Sequence, residues 1–456
     1  MREESIAAIA TAQGEGAIAI VRLSGRDVLQ KASPCLSEVD FATLEPRKIY
    51  RGTLINEQRE CIDQVLFFFM RAPHSYTGED CVEIHCHGGI LVTQRVLERI
   101  LQTGVRTALP GEFTFRAFMN GKIDLSQAEA VEACIQAKNN KALACAQRQL
   151  AGKLSYQISS FQKELNQIAA LFEAWVDFPE EELELLPLSE CREQLHFTLQ
   201  KMERLCRTFE YGRKVREGIS ICLTGAPNVG KSSLMNLLLR RERAIVTPLP
   251  GTTRDLLEEE ITLLGWHVRL IDSAGIHPST DPIEREGIER AKRAREEADL
   301  VLLILDASRE LSSEEWNWIE RLPIDRTIAL WNKSDLLPFP DSHSYPTLPF
   351  SSTLSFSVHK EWGLHSLFDQ ISRFLKKGVS ELSSEELLLT HLRHREALER
   401  SCLACRNVLE GLNRELSPEC LALEMREALL SLAEIIGTDV GEDLLSTLFS
   451  SFCVGK

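Results

Sequence analysis

The chain has 456 residues, 44% of them hydrophobic and 26% charged, the balance of a folded globular protein too long for a single core, so two to four domains are expected. Its 52 Lys and Arg stand against 67 Asp and Glu, a formal net charge of −15. That argues against a protein holding nucleic acid mainly by a basic surface, while leaving a local basic site open.

The longest apolar runs, residues 65–70 and 300–305, fall far short of the ~20 residues that cross a bilayer. The N-terminal stretch has no apolar core of a secretory signal. The 13 cysteines are odd in number and irregularly spaced, the pattern of reduced thiols in a cytoplasmic protein.

In chain order, residues 17–23, 65–70 and 81–87 are rich in strand formers and separated by Gly and Pro, predicting an α+β domain over 1–118. From Ser126 a long Ala, Gln, Leu and Glu-rich stretch runs helically to about residue 178. Ser126 and Glu129 fit a capping box at its start. An acidic break at 178–187 precedes a second helical stretch, giving helices over 119–215. Residues 219–223, 268–271, 300–305 and 327–330 are short apolar runs between helical segments, the pattern of a parallel α/β domain over 216–378. A Pro and Ser-rich loop is expected over 337–357, and residues 379–456 read as helical again. The flanking helices most simply form one discontinuous domain into which the α/β domain is inserted.

The chemistry is concentrated in that insertion. Gly225-Ala226-Pro227-Asn228-Val229-Gly230-Lys231-Ser232 has the spacing G-x-x-x-x-G-K-[ST] between a strand and a helix that continues through Ser233. Glycines let backbone N–H groups turn toward phosphates, Lys231 would reach the β- and γ-phosphates, and the Ser232 hydroxyl would bind Mg²⁺. Asp272-Ser273-Ala274-Gly275 follows the next strand, where a carboxylate serves the Mg²⁺ shell and a Gly N–H meets the γ-phosphate. Asn332, Lys333 and Asp335 follow 327–330. A carboxylate at Asp335 accepts both N1–H and N2–H of guanine, donors that adenine lacks, so the set selects GTP. Gly251-Thr252-Thr253-Arg254-Asp255 supplies a Thr hydroxyl for Mg²⁺ in a loop able to order around the γ-phosphate. Ile276 stands where small GTPases commonly place a water-orienting Gln. Glu284 is a candidate for that duty, although Asp281-Pro282-Ile283-Glu284 also reads as a capping box, which the residues alone favour.

These loops, together with Ser75–Asp80 (SYTGED), His87-Gly88-Gly89, the 110–113 segment PGEF and the terminal Phe452-Cys453-Val454-Gly455-Lys456, resemble the tRNA modification GTPase family called MnmE or TrmE, and the likeness spans the whole chain. The resemblance implies a Ras-like P-loop GTPase inserted in a helical domain behind a folate-binding-like N-terminal domain. It implies a homodimer joined through that N-terminal domain. It also implies a flavin-dependent partner (MnmG or GidA, which carries FAD), tRNA as substrate, and an aminomethyl-type group placed at C5 of the wobble uridine with a tetrahydrofolate derivative as one-carbon source. GTP hydrolysis would be stimulated by K⁺ held by Asn228, Thr252 and the backbone of Thr247 and Leu249, with Thr253 joining Ser232 on Mg²⁺. Pro248, Pro250, Gly251, Ser357 and Val358 complete the implied nucleotide contacts, and Glu284 would orient the water. Arg22, Glu83, Lys122 and Lys456 are the implied folate residues. Cys453 matches the family's near-terminal cysteine and is a catalytic candidate, since a thiolate can attack electrophilic carbon; packing is its alternative. Ser273 replaces the usual Thr, and Ser357-Val358-His359 departs from the family's guanine-supporting loop.

Three other signals are set aside. Cys81, His85 and His87 share one strand face but lack a second ligand set for zinc. Cys402 and Cys405 lie in a helical stretch, and His391 with His394 reads as a solvated helix face.

Overall fold

The computed structural model describes residues 4–41, 43–177, 188–241, 258–272, 293, 295–338, 345–350, 352–376 and 386–456. They form two units, Met1–Gln136 with Ala146–Glu203 and Glu396–Lys456, and Ala137–Cys145 with Arg204–Arg395.

In the first unit a seven-stranded sheet is built from β1 (Ile6–Ile9), β2 (Ile18–Ser24), β3 (Leu36–Ser37), β4 (Tyr50–Ile55), β5 (Cys61–Met70), β6 (Cys81–His87) and β7 (Arg106–Thr107), in the order β3-β4-β5-β6-β2-β1-β7. Alternation decides its faces. Val65, Phe67 and Phe69 of β5 and Val82, Ile84 and Cys86 of β6 are buried with Val96 and Ile100 of the helix Ile90–Leu101. The odd-numbered residues of β6 face the other way. There Cys81 is buried against Ser24 and Thr77, His85 packs edge-on to Phe68, and His87 pairs with Asp63 at 2.7 Å. No group of three or more metal-ligating side chains occurs among the described residues.

The long helical stretch resolves into Leu125–Gln136, Asn140–Leu150 and Lys153–Asp177. Leu154, Ile158, Phe161, Leu165, Ile168 and Phe172 recur every three or four residues and are buried, as are Leu421, Met425, Ala428, Leu432 and Ile435 of Pro418–Ile436. The expected cap is corrected. Asp124, not Ser126, opens the helix: its Oδ1 accepts from Gln127 N–H at 2.9 Å, and Gln127 Oε1 accepts from Asp124 N–H at 3.0 Å. Ser126 is already inside the helix and buried, so its hydroxyl donates back to Asp124 instead. Glycine in the left-handed conformation ends Pro418–Ile436 at Gly437, where a Cβ would come within 2.7 Å of Leu125 Cβ.

The second unit holds a six-stranded sheet of β8 (Ile219–Thr224), β9 (Glu258–Leu263), β10 (Trp266–Asp272), β11 (Leu300–Asp306), β12 (Thr327–Asn332) and β13 (Ser352–Ser355), ordered β13-β12-β11-β8-β10-β9. Only β9 runs antiparallel to its neighbour. β8, β11 and β12 are buried throughout, because helices cover both faces of a parallel sheet. Leu300, Leu302 and Ile304 pack with Leu234 and Leu238 of Lys231–Arg241, while Val301, Leu303 and Leu305 pack with Ile319 and Leu322 on the opposite face.

β13 lies inside the stretch expected to be loop. Its four residues are polar or half-exposed and carry no apolar run, so only pairing with β12 makes it a strand. His394 also departs from expectation: it is fully buried, its ring 5.1 Å from that of His391. Cys402 and Cys405 are both buried in the helix Leu392–Asn413, and burial pushes the Cys405 thiol up to about 12. That favours the neutral thiol over a reactive thiolate.

Candidate functional site

At the carboxyl end of β8 the chain turns through Gly225, where a Cβ would stand 2.3 Å from the Ile304 carbonyl oxygen. Asn228 takes the left-handed conformation at φ 61°, and Gly230 follows at φ 103°. A Cβ on Gly230 would lie 2.3 Å from Asn332 Nδ2, so glycine is required for that close approach. Helix Lys231–Arg241 begins directly after this turn, with Ser232 and Ser233 exposed at its first positions.

Lys231 is 8% exposed, and its Nζ donates to Gly225 O at 2.7 Å and Ala226 O at 2.8 Å. Burial lowers its pKa below the ordinary lysine value. Its charge therefore sits among carbonyls of the loop, where an anionic phosphate would be a stronger partner. Ser232 Oγ donates to Asp272 Oδ2 at 3.2 Å, which joins the phosphate loop to the end of β10. These hard oxygen donors fit Mg²⁺, which commonly keeps few protein ligands and completes its shell from phosphates and water.

Asn332, the last residue of β12, ties three loops together. Its Nδ2 donates to Val229 O at 2.7 Å, and its Oδ1 accepts from Val358 N–H at 3.0 Å. Val358 N–H is thus committed to Asn332. Ser357 is buried and donates from Oγ to Asp335 Oδ1 at 2.5 Å, which orients that carboxylate. Lys333 is left-handed at φ 65°, and its Nζ meets Asp306 Oδ2 at 2.6 Å. Asp306 was not singled out from sequence. The available signal was a carboxylate ending the apolar strand 300–305, the place where open α/β sheets bind ligands. Thr247, Pro248, Leu249, Pro250, Gly251, Thr252, Thr253, Ser273, Ala274, Gly275 and Glu284 lie outside the described residues.

A second polar cluster forms in the first unit. Antiparallel pairing of β2 with β6 sets Arg22 opposite Glu83, and Arg22 Nε donates to Glu83 Oε1 at 2.8 Å. The guanidinium lies 5.6 Å from the Tyr76 ring centroid and 5.8 Å from that of Phe113. Arg22 Nη1 reaches the Gly455 carbonyl at 3.5 Å. Gly455 has φ 96°, and a Cβ there would come 2.2 Å from Ile9 O, so the terminal turn sits against β1. Lys456 N–H donates to Cys453 O at 3.3 Å, and the Cys453 residue is exposed. Lys122 Nζ donates to Pro73 O at 2.9 Å, its stem 3.3 Å from a Cβ position on Gly78. Arg22, Glu83 and the C-terminal turn are therefore brought together, while Lys122 is anchored on the loop that carries Tyr76.

That loop has a buried support. Glu79 Oε2 accepts from Ser24 Oγ at 2.8 Å and from Arg116 Nη1 at 2.9 Å. Arg116 also pairs with Glu112, which accepts from Arg106 and from Leu109 N–H. Burial pushes the Glu112 carboxyl up, but the two arginines and the Leu109 N–H outweigh it and hold the pKa below the usual glutamate value. Sequence reading missed this network because its members are ordinary charges until the fold joins them.

A phosphate loop between a buried strand and a helix, with Asp272 and the Asn332 tie at the same sheet end, defines a P-loop nucleotide-binding protein of the α/β class. A family model described as "GTP-binding protein TrmE N-terminus" matches residues 5–122, and one described as "MnmE helical domain" matches residues 125–453. The chain is 49% identical over 453 residues to a protein from Protochlamydia amoebophila named "tRNA modification GTPase MnmE", covering 99% of this chain and 98% of that protein. Proteins of the same name from Geotalea uraniireducens and Symbiobacterium thermophilum are 41% and 43% identical, covering 100% of this chain and 99% and 100% of theirs. The chain belongs to the MnmE family of tRNA modification GTPases, and its N-terminal α+β, discontinuous helical and inserted P-loop parts have that family's organisation. No helix among the described residues is long and apolar enough to cross a membrane.

Proposed function

We propose that the chain hydrolyses GTP and, as a cytoplasmic homodimer acting with a flavin-dependent MnmG or GidA-type partner, adds a carboxymethylaminomethyl-type group at C5 of the wobble uridine in certain tRNAs. The observation that carries the nucleotide half is the convergence of Lys231, Ser232, Asp272, Asn332 and Asp335 at one end of the parallel sheet. In this reading Lys231 leaves the Gly225 and Ala226 carbonyls for the β- and γ-phosphate oxygens. Its charge then opposes the negative charge that gathers there as water bonds to the γ-phosphorus and the bond to the β-phosphate oxygen breaks, giving GDP and phosphate. Ser232 and Thr253 hold Mg²⁺, which neutralises phosphate charge when bound, and Asp272 accepts from Ser232 to orient it. Asp335, turned by Ser357, reads the guanine N–H donors. Glu284 would orient the water, and Asn228, Thr247, Leu249 and Thr252 would hold K⁺, which when bound would supply the positive charge that other GTPases take from an arginine.

The modification half rests on Arg22, Glu83, Lys122 and Lys456 as the seat of a tetrahydrofolate derivative. Arg22 fits that role because its guanidinium is held by Glu83 and flanked by two aromatic rings, a setting suited to a flat, polar, partly anionic ligand. Cys453 is the candidate nucleophile at the adjacent terminal turn. The test is mass-spectrometric analysis of wobble uridines in cells lacking this protein. Loss of the C5 group is expected, and unchanged modification would sink the reading.

A further inference from the structure

We propose that Asp306 is a positioning residue for base selectivity: through its ion pair with Lys333 it fixes the lysine stem as an apolar wall for the guanine ring. The inference rests on the reading of residues 332–335 as the base-recognition segment.

The parallel pairing of β11 with β12 sets Asp306 in register with Asn332, and Ala307 N–H donates to Asn332 O at 2.8 Å. Asp306 therefore reaches the residue after Asn332 from the neighbouring strand end. Its Oδ2 takes Lys333 Nζ at 2.6 Å, while its Oδ1 takes Ser308 N–H at 3.0 Å and Ser308 Oγ–H at 2.6 Å. Both oxygens are thereby engaged, and the carboxylate side chain is only 9% exposed against 32% for the lysine. A carboxylate so occupied is a poor direct contact for a nucleotide rich in acceptor oxygens. Its reach is through Lys333.

The other end of that lysine is pinned as well. Lys333 is left-handed, and the turn following it is fastened by Ser334, whose N–H and Oγ–H donate to Phe356 O at 3.1 and 2.8 Å. With Cα and Nζ both held, the four-carbon stem between them has one direction. A free lysine loses much rotamer entropy when it packs on a ligand, and prior tethering removes most of that loss. The same stem offers a flat apolar surface. A ring laid on a fixed wall meets the Ser357-oriented Asp335 carboxylate in one alignment, whereas a loose wall lets it tilt and weakens the N2–H bond.

The test is titration of the full chain with a fluorescent GDP analogue and competition by IDP, which lacks the N2 amino group, for wild type, Asp306→Asn, Lys333→Ala and the double variant. Asp306→Asn is expected to weaken GDP binding roughly tenfold, and to shrink the preference for GDP over IDP. In hydrolysis, KM should rise by a larger factor than kcat falls. The double variant should bind no worse than Lys333→Ala alone, because the effect runs through the lysine. An Asp306→Asn affinity within twofold of wild type, losses that multiply in the double variant, or an unaltered GDP to IDP ratio would each overturn the proposal; the last is what a merely structural carboxylate would give. Should Asp306→Asn fail to fold, Ser308→Ala, which removes the hydroxyl bond to the carboxylate's other oxygen and leaves the backbone N–H bond, must give the same shift in ratio at smaller size or the proposal falls. If Asp335→Asn and Lys333→Ala both keep full GDP affinity, the base-recognition reading itself has failed and takes this inference with it.

Discussion

In the second unit the described candidate nucleotide residues, Lys231, Ser232, Asp272, Asn332 and Asp335, stand at one end of a mostly parallel sheet, at or following the ends of the buried strands β8, β10 and β12. In the first unit, Arg22, Glu83 and Gly455 come from two strands and the chain terminus, and they meet only through antiparallel register and a docked C-terminal turn. The first arrangement tolerates exchange of scaffold residues so long as strands and turns persist. The second depends on the register of β2 against β6, since a one-residue slip would turn Arg22 and Glu83 to opposite faces. It depends also on Gly455, the residue whose missing side chain lets the tail lie against β1.

The largest effect that would break this contrast is expected at Lys231. Lys231→Ala should lower kcat for GTP hydrolysis by roughly 10²–10³-fold, measured as phosphate release at saturating GTP, with modification lost in parallel. Hydrolysis persisting near the wild-type rate would remove the phosphate role. Next, Asp335→Asn places a donor against guanine N–H groups and should weaken GTP binding by about 10²-fold while improving the relative binding of xanthosine nucleotides. Nucleotide competition reads that exchange directly.

For the first unit, Arg22→Ala should lower affinity for a reduced folate by about tenfold or more, because it also leaves Glu83 without this ion-pair partner. Calorimetric titration with the folate and separately with GDP sharpens the comparison: GDP affinity should stay at its wild-type value. Equal losses for both ligands would mean that the two sites do not differ in the way described. Gly455→Ala should move folate affinity in the same direction.

The smallest expected effect concerns stability. Glu112 has its pKa below the ordinary glutamate value in the folded chain, so its stabilisation is present above the unfolded value and is lost as pH falls through the folded one. Glu112→Gln should cost about 1–3 kcal/mol at pH 7. The difference from wild type should shrink on acidification below the usual glutamate range, as followed by urea unfolding of the first unit's signals. A gap that does not narrow in acid would place the cost in packing rather than in charge.

The amino-acid sequence by itself determined the phosphate loop, the order of the candidate nucleotide segments and the three strands buried throughout, β8, β11 and β12, since each is a local pattern of glycine, charge or apolar run that needs no distant partner. Tertiary structure alone decided the rest. It made β13 a strand, because an edge strand of Ser, Thr and Leu is fixed by its neighbour and not by its own apolarity. It made Asp124 the cap in place of the expected Ser126, which lies buried inside the helix while Asp124 Oδ1 accepts from Gln127 N–H. It buried His394 and joined Asp306 to Lys333 across two strands. It set Arg22 against Glu83 and within reach of a carbonyl 433 residues away in the chain. The division follows from range. Backbone conformation and amphipathic period are written within a few residues, whereas a charge gains its meaning only from the partner that strand register and chain closure place beside it.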